Sequence, residues 1–76
     1  MSTKNEVINL IKQKIANSEV YVENLKGDDH LQVNVISPEF NGFSLVKQHQ
    51  LVYSALKEKL ASEAIHALAL KTETPN

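Results

Sequence analysis

The chain has 76 residues, a formal net charge of −1 and no cysteine. This length predicts one small domain over residues 1–76, and the 42% share of hydrophobic residues is sufficient for a packed core. A disulfide is excluded, so packing alone must stabilise the fold. All eight basic residues are lysines. Because arginine is the commonest reader of guanine edges, its absence disfavours sequence-specific DNA binding.

The sequence shows neither a membrane segment nor a catalytic motif. Its apolar runs are too short to cross a bilayer, and residues 1–14 lack the apolar core of a signal peptide. The two glycines, Gly27 and Gly42, are too few for a phosphate-binding loop, and Asp28-Asp29 is more typical of a solvated turn than of an acid–base pair. We therefore expect a cytoplasmic protein that is not an enzyme.

A helix is predicted at the start of the chain. Thr3 and Glu6 have the spacing of a capping box, in which two side chains satisfy the free amides of a helix N-terminus. The apolar residues that follow recur at near-helical spacing. They are Val7, Ile8, Leu10, Ile11 and Ile15. We predict a helix from Lys4 to Ala16 that packs through this stripe.

A β-hairpin is predicted next. Residues 20–25 are rich in β-forming side chains, and residues 31–35 alternate between apolar and polar ones. The turn at 26–29 contains a glycine and is short enough to join the two strands in antiparallel fashion. Ser37-Pro38 ends the second strand, and residues 40–42 form another turn.

The second half of the chain predicts a long helix and a final strand. Ser44 is suited to cap a helix from Leu45 to Leu60, whose apolar residues lie along one face. That face comprises Leu45, His49, Val52, Leu56 and Leu60. Residues 61–64 form a break or a short extra turn. Residues 65–72 alternate as a strand.

The order of these elements predicts an α+β two-layer sandwich. A three-stranded mixed sheet with helices on one face would bury the apolar stripes of both helices. The last crossover, from strand through helix to strand, allows a parallel pairing. The small side chains of Ala67 and Ala69 on the final strand leave room for a partner strand or a homodimer.

Three histidines are the remaining candidates for metal binding, since imidazole is a common ligand of zinc and iron. They are His30, His49 and His66, separated by 19 and 17 residues, so spacing alone does not define a ligand pair. His49 lies on the apolar stripe, which favours a packed side chain with a hydrogen-bond partner. His30 at a strand start favours a polar surface residue. Composition and spacing favour a structural role for His66 as well.

A set of residues across the chain matches a known pattern. The set comprises Phe40-x-Gly42, Leu45-Val46, His49, Val52-Tyr53, Leu56, Ile65-His66-Ala67-Leu68 and Thr72-x-Thr74-Pro75, with His30-Leu31-x-Val33 at the entry of the second strand. This pattern resembles the BolA family over nearly the whole chain. The resemblance implies an αββααβ fold similar to a class II KH domain. We assign structural roles to Phe40, Gly42, His49 and Pro75.

The resemblance also implies a partner and a cofactor. BolA proteins pair with monothiol glutaredoxins and share a [2Fe–2S] cluster, whose other ligands are a glutaredoxin cysteine and glutathione. The C-terminal histidine ligand of the family corresponds to His66, and His30 is the candidate for a second ligand near the hairpin loop. A chain without cysteine must take its thiolates from elsewhere. The implied function is an adaptor in iron–sulfur cluster assembly or trafficking, or in iron sensing.

A second function implied by the resemblance is DNA binding by a transcriptional regulator of stress response and cell morphology. The second helix would then be the recognition helix, and Lys47, Gln50 and Lys71 are candidates for a partner or nucleic-acid surface. The family's usual Arg-His-Arg is Gln48-His49-Gln50 here, which removes two cations available to phosphates. Residues 42–45 lack the second glycine of a GxxG RNA-binding loop. The sequence therefore favours the glutaredoxin partner over DNA.

Overall fold

A three-stranded mixed sheet carries helices on one of its faces, as predicted. The computed structural model describes residues 3–25, 30–62 and 67–75; the predicted turn at 26–29 and His66 lie outside these ranges. The elements in chain order are α1 (Thr3–Lys14), β1 (Glu19–Asn24), β2 (His30–Ile36), a 3₁₀ helix (Pro38–Phe40), α2 (Leu45–Ala55), α3 (Lys57–Ala61) and β3 (Ala67–Glu73). The αββααβ order is confirmed.

The central strand β2 pairs with both of the others. It is antiparallel to β1, with Val33 opposite Val22, and parallel to β3, with Val33 opposite Leu70. The helix-facing residues of β2, which also include Leu31 and Val35, are at most 1% exposed. A shift of one residue in the register would turn these valines and leucines to solvent, so the alternation in the sequence fixes the pairing.

The helices form the second layer. Helix α1 packs against β1 and α2, and α2 packs against β3. The fully buried side chains that the helical layer contributes to the core are Val7, Ile11, Phe40, Val52 and Leu56. Among the described residues, no helix is long and apolar enough to span a bilayer.

The predicted start of α1 differs from the observed one. The helix begins at Thr3, one residue before the predicted start at Lys4, and the predicted cap by the Thr3 side chain lies outside what the structure describes. Glu6 has a partner that the sequence did not indicate, because its carboxylate accepts a hydrogen bond from Lys59 Nζ at 2.8 Å. The helix ends at Lys14, two residues before the predicted end. Asn17 then adopts a positive φ of 55°.

The predicted helix from Leu45 to Leu60 is interrupted. The side chain of Ser44 caps α2 as predicted, since its Oγ accepts the N–H of Lys47 at 3.2 Å. The helix stops at Ala55, and Leu56 has φ −106° and ψ 11° before α3 begins. This turn keeps Leu56 fully buried. No glycine or proline marks the break, so the helical pattern alone did not reveal it.

Leu45 is not part of the buried face of α2. Its side chain is 60% exposed, because it occupies the first position of the helix, where neighbouring elements do not cover it. The final strand runs from Ala67 to Glu73, one residue beyond its predicted end, and residues 65–66 of the predicted strand lie outside the described ranges.

Ser37 joins three parts of the fold. Its side chain is buried, donates to the carbonyl of Ala16 after α1 at 2.9 Å and accepts the N–H of Glu39 at 3.1 Å. Its own N–H donates to the carbonyl of Glu73 at the end of β3 at 3.0 Å. Because this buried hydroxyl both donates and accepts a hydrogen bond, it stabilises the junction. Nearby Gly42 has a φ of +85°, which favours glycine although a Cβ would meet no atom.

The two phenylalanines that flank Gly42 provide a test of the packing. We expect Phe40→Ala, which empties a fully buried site, to lower the free energy of unfolding by about 3–5 kcal/mol. Phe43 is 45% exposed, so the matched variant Phe43→Ala should lose much less. Urea denaturation followed by circular dichroism measures both. Equal losses in the two variants would contradict this core.

Candidate functional site

The strands β2 and β3 begin side by side at the end of the sheet where His30 lies. The Cα atom of His30, at the start of β2, is the register partner of that of Ala67, at the start of β3. His30 is half-buried, and its carbonyl accepts the N–H of Leu25 across the hairpin at 2.8 Å. Ala67 directly follows His66 in the sequence. The structure therefore places His30, one predicted ligand, beside Ala67, which directly follows the other predicted ligand in the sequence.

His49 occupies a different environment from His30. It is half-buried on α2, and its ring meets that of Tyr53 edge to face, with centroids 6.4 Å apart and an interplanar angle of 88°. No hydrogen bond links the ring to another residue of the described ranges, so the predicted polar partner is not found there. Across residues 3–25, 30–62 and 67–75, no three His, Cys, Asp or Glu side chains gather as a metal site.

Gln48 binds within the fold instead of facing solvent. Its Oε1 accepts from Thr72 Oγ1 on β3 at 2.7 Å, and its Nε2 donates to the carbonyl of Phe43 at 3.0 Å. Of Gln48-His49-Gln50, only Gln50 is exposed. Sequence reasoning treated Gln48 as a lost DNA contact and missed this role. Its position four residues before buried Val52 was the available signal, since such residues share a helix face.

The three surface candidates do not form one surface. Lys47 and Gln50 are exposed on α2, in the helical layer. Lys71 is exposed on β3 between half-buried Leu70 and buried Thr72. It therefore points to the opposite face of the sheet, because successive strand residues alternate between faces.

Charge is unevenly distributed between the two faces. Within the described ranges, the helices carry all but one of the lysines, namely Lys4, Lys12, Lys14, Lys47, Lys57 and Lys59. The bare face of the sheet carries exposed Glu19, Glu23 and Glu73. Glu19 accepts a hydrogen bond from Tyr21 Oη at 2.8 Å, and this bond and the carboxylate charge raise the pKa of Tyr21 above its usual value. The net charge of −1 conceals this segregation.

A groove in the helical layer is lined by none of the histidines. It has a volume of about 330 Å³ and runs between α1 and the α2–α3 region, where Leu10 faces Ser54 and Ala55. Its walls offer lysine, glutamate and serine side chains and include neither a histidine nor a cysteine.

Comparison with known proteins identifies the family to which this chain belongs. The model of the family described as BolA-like protein matches residues 3–76. The chain belongs to the BolA family. It is 38% identical over 72 residues to the acid stress protein IbaG of Escherichia coli, covering 93% of this chain and 82% of IbaG. The match of this BolA chain to the family model includes all three histidines.

Solved BolA structures have the same fold. BolA1 from Arabidopsis thaliana superposes with a TM-score of 0.85 at 28% identity, covering 99% of this chain and 94% of BolA1. The BolA domain of SufE1 from the same plant gives a TM-score of 0.85 at 30% identity, with the same coverage. The resemblance to class II KH domains remains a prediction.

The role of Gln48 is testable by truncation. We expect Gln48→Ala to lower the free energy of unfolding by about 1–2 kcal/mol, because it leaves the hydroxyl of Thr72, in a residue that is 7% exposed, without its acceptor. The neighbouring Gln50→Ala removes an exposed amide of the same kind and should change stability by less than about 0.5 kcal/mol. Chemical denaturation measures both variants. A Gln48→Ala protein as stable as the parent would contradict the tie between α2 and β3.

Proposed function

We propose that this BolA chain is a non-enzymatic adaptor that binds a monothiol glutaredoxin and co-ligates a [2Fe–2S] cluster with it. Such an adaptor would act in cluster assembly or trafficking, or in iron sensing. The observation that carries the proposal is the pairing of His30 with Ala67, the residue next to His66. Family membership supports it.

The register places one proposed ligand beside the sequence neighbour of the other. The Cα atom of His30 pairs with that of Ala67, and neighbouring strands lie about 4.8 Å apart. His30 is the first residue of β2, and a ligand on a hydrogen-bonded strand is held more firmly than one on a free loop. His66 directly precedes Ala67 in the sequence.

The donor set fits a cluster that is completed by another protein. Iron–sulfur clusters are held chiefly by thiolates, and this chain has no cysteine to supply one. Its histidines offer neutral nitrogen donors, so the partner must contribute the thiolates. When bound, the cluster supplies iron, sulfide and one-electron redox chemistry. An imidazole in place of a thiolate lowers the negative charge of the ligand set, which raises the reduction potential, as in Rieske centres.

A second observation supports an adaptor rather than a catalyst. One solved relative is a BolA domain that forms part of a larger protein, SufE1. In the curated SufE-like protein 1, the matching region corresponds to 13% of that protein's length. A domain of this kind works beside other protein modules. We therefore assign the present chain a role in binding and positioning a partner's cofactor.

The three histidines allow a matched test. Adding the parent protein to cluster-loaded monothiol glutaredoxin should change the visible circular dichroism, because a histidine replaces a ligand of the cluster. His66→Ala should abolish this change, and His30→Ala should weaken it. His49→Ala removes the same side chain from a position on α2 that contacts Tyr53 and should retain it. Identical spectra for the parent and His66→Ala would contradict the proposed ligation.

DNA binding through α2 is a second candidate function, favoured by the lysines that the helical layer presents. Two observations count against it. Gln48 is turned into the fold, and exposed Gln50 lacks the charge that a phosphate contact needs. The remaining lysines support a weak electrostatic attraction that carries no sequence information.

We expect this attraction to be sensitive to salt. Binding of a labelled duplex, measured by fluorescence anisotropy, should fall steeply between roughly 50 and 200 mM salt and should not depend on DNA sequence. Lys47→Glu should weaken it further. Tight, sequence-selective binding at about 150 mM salt would instead establish DNA recognition as the function of α2.

A further inference from the structure

The outer edge of β3 forms a surface that cluster ligation does not use. In the sheet formed by the described residues, β3 is an edge strand. It presents exposed Ala69, Lys71 and Glu73 on the bare face of the sheet. Leu68 and Leu70 on the helix-facing side are only half-buried. An edge strand carries unpaired backbone donors and acceptors that can pair with another chain.

One side of α2 lies next to this edge. Leu51, Ser54 and Ala55 of α2 line grooves that it shares with α1. At 100° per residue, Val46, His49 and Tyr53 lie within a 60° sector on the side of α2 away from that groove. Because α1 packs on β1 and α2 packs on β3, this sector faces outward past β3. We call these three residues the α2 stripe.

The α2 stripe is unusually apolar for an open surface. Val46 is 66% exposed and Tyr53 is 39% exposed. Helix α2 contains no acidic residue, and its one basic residue, Lys47, lies outside the stripe. The β3 edge and the α2 stripe together form a stepped surface, which we call the step. Its lower level consists of the backbone hydrogen-bonding groups of β3, and its upper level consists of the apolar side chains of α2.

A second copy of this chain fits the step less well than a lone strand does. Antiparallel two-fold pairing of the two β3 strands would place both helical layers on the same face of the joined sheet. Because each α2 packs against its own β3, the two α2 helices would compete for the space above the joined strands. A strand with no helix above it meets no such obstacle.

We propose that the β3 edge and the α2 stripe accept an extended segment of another protein as a fourth strand. Side chains at alternate positions of that segment lie beneath Val46, His49 and Tyr53, so they are apolar. The side chains between them face the other side of the sheet, beside Ala69, Lys71 and Glu73. Since opposite charges directly across two strands attract, the segment carries an acidic residue opposite Lys71.

The other edge of the sheet carries a different charge pattern. Strand β1 presents Glu19 and Glu23 on the bare face, two charges of the same sign, whereas β3 presents Lys71 and Glu73, one of each sign. A segment with an acidic residue would therefore meet only like charges on β1, but an opposite charge at Lys71 on β3.

Two synthetic peptides test the proposal without cluster or glutaredoxin. Each has seven residues, with valine at positions 1, 3, 5 and 7 and threonine between them, and the central threonine is replaced by glutamate in one peptide and by lysine in the other. Titration into the ¹⁵N-labelled chain, followed by NMR, should shift the amide signals of residues 69–73 and of the α2 stripe. The glutamate peptide should bind about threefold or more tightly than the lysine peptide.

Three variants identify the contacts. Lys71→Glu should invert the preference between the two peptides, because it reverses the charge opposite their central residue. Val46→Glu should weaken both peptides at least about fivefold by placing a charge above the added strand. Lys47→Glu makes a comparable charge change on α2 outside the stripe and should leave the preference intact. Far-ultraviolet circular dichroism checks that each variant is folded.

Several outcomes would overturn the proposal. These are no binding of either peptide, shifts confined to the groove between α1 and α2, an unchanged preference in Lys71→Glu, or dimers of the chain formed through β3. None of them bears on cluster ligation, since the titration contains no cluster. Conversely, a failure of the glutaredoxin experiment would leave this test unaffected.

Discussion

The parallel pairing of β2 with β3 is the constraint on which the rest of the structure depends. It joins the hairpin, built from sequence neighbours, to the last strand of the chain, and α2 must cross the sheet to make this connection. It also sets His30 beside Ala67. The bond from Thr72 to Gln48 fastens α2 to the same strand. A slip of this register by one residue would turn the core-facing side chains of the strand to the opposite face of the sheet.

This pairing divides the surface into regions with different chemistry. The end where β2 and β3 begin carries the proposed nitrogen ligands, the free edge of β3 carries backbone groups, and the α2 stripe carries apolar side chains. The lysines of the helical layer lie opposite the glutamates of the bare sheet. The proposed ligation and the proposed docking therefore use separate regions of the surface, which suits the proposed adaptor function.

The sequence predicted the elements whose pattern is local. The alternation around Val33 was sufficient to predict β2, and Ser44 was sufficient to predict the start of α2, because hydrophobic period and capping chemistry are properties of neighbouring residues. The break at Leu56 was invisible, since tertiary packing and not glycine or proline produces it. The pairing of Glu6 with Lys59 and the inward turn of Gln48 join residues far apart in sequence. For the site, the proposed role of His66 rests on family resemblance, and the pairing that places Ala67 beside His30 required the structure.

The most direct measurement of the central claim is pulsed electron paramagnetic resonance on the reduced complex with glutaredoxin. Only the present chain would be labelled with ¹⁵N-histidine, so that a histidine ligand from this chain is identified by its nitrogen coupling. We predict a strong ¹⁵N hyperfine coupling to the cluster that disappears in His66→Ala. A cluster that forms in the complex but shows no ¹⁵N coupling from this chain would contradict the account.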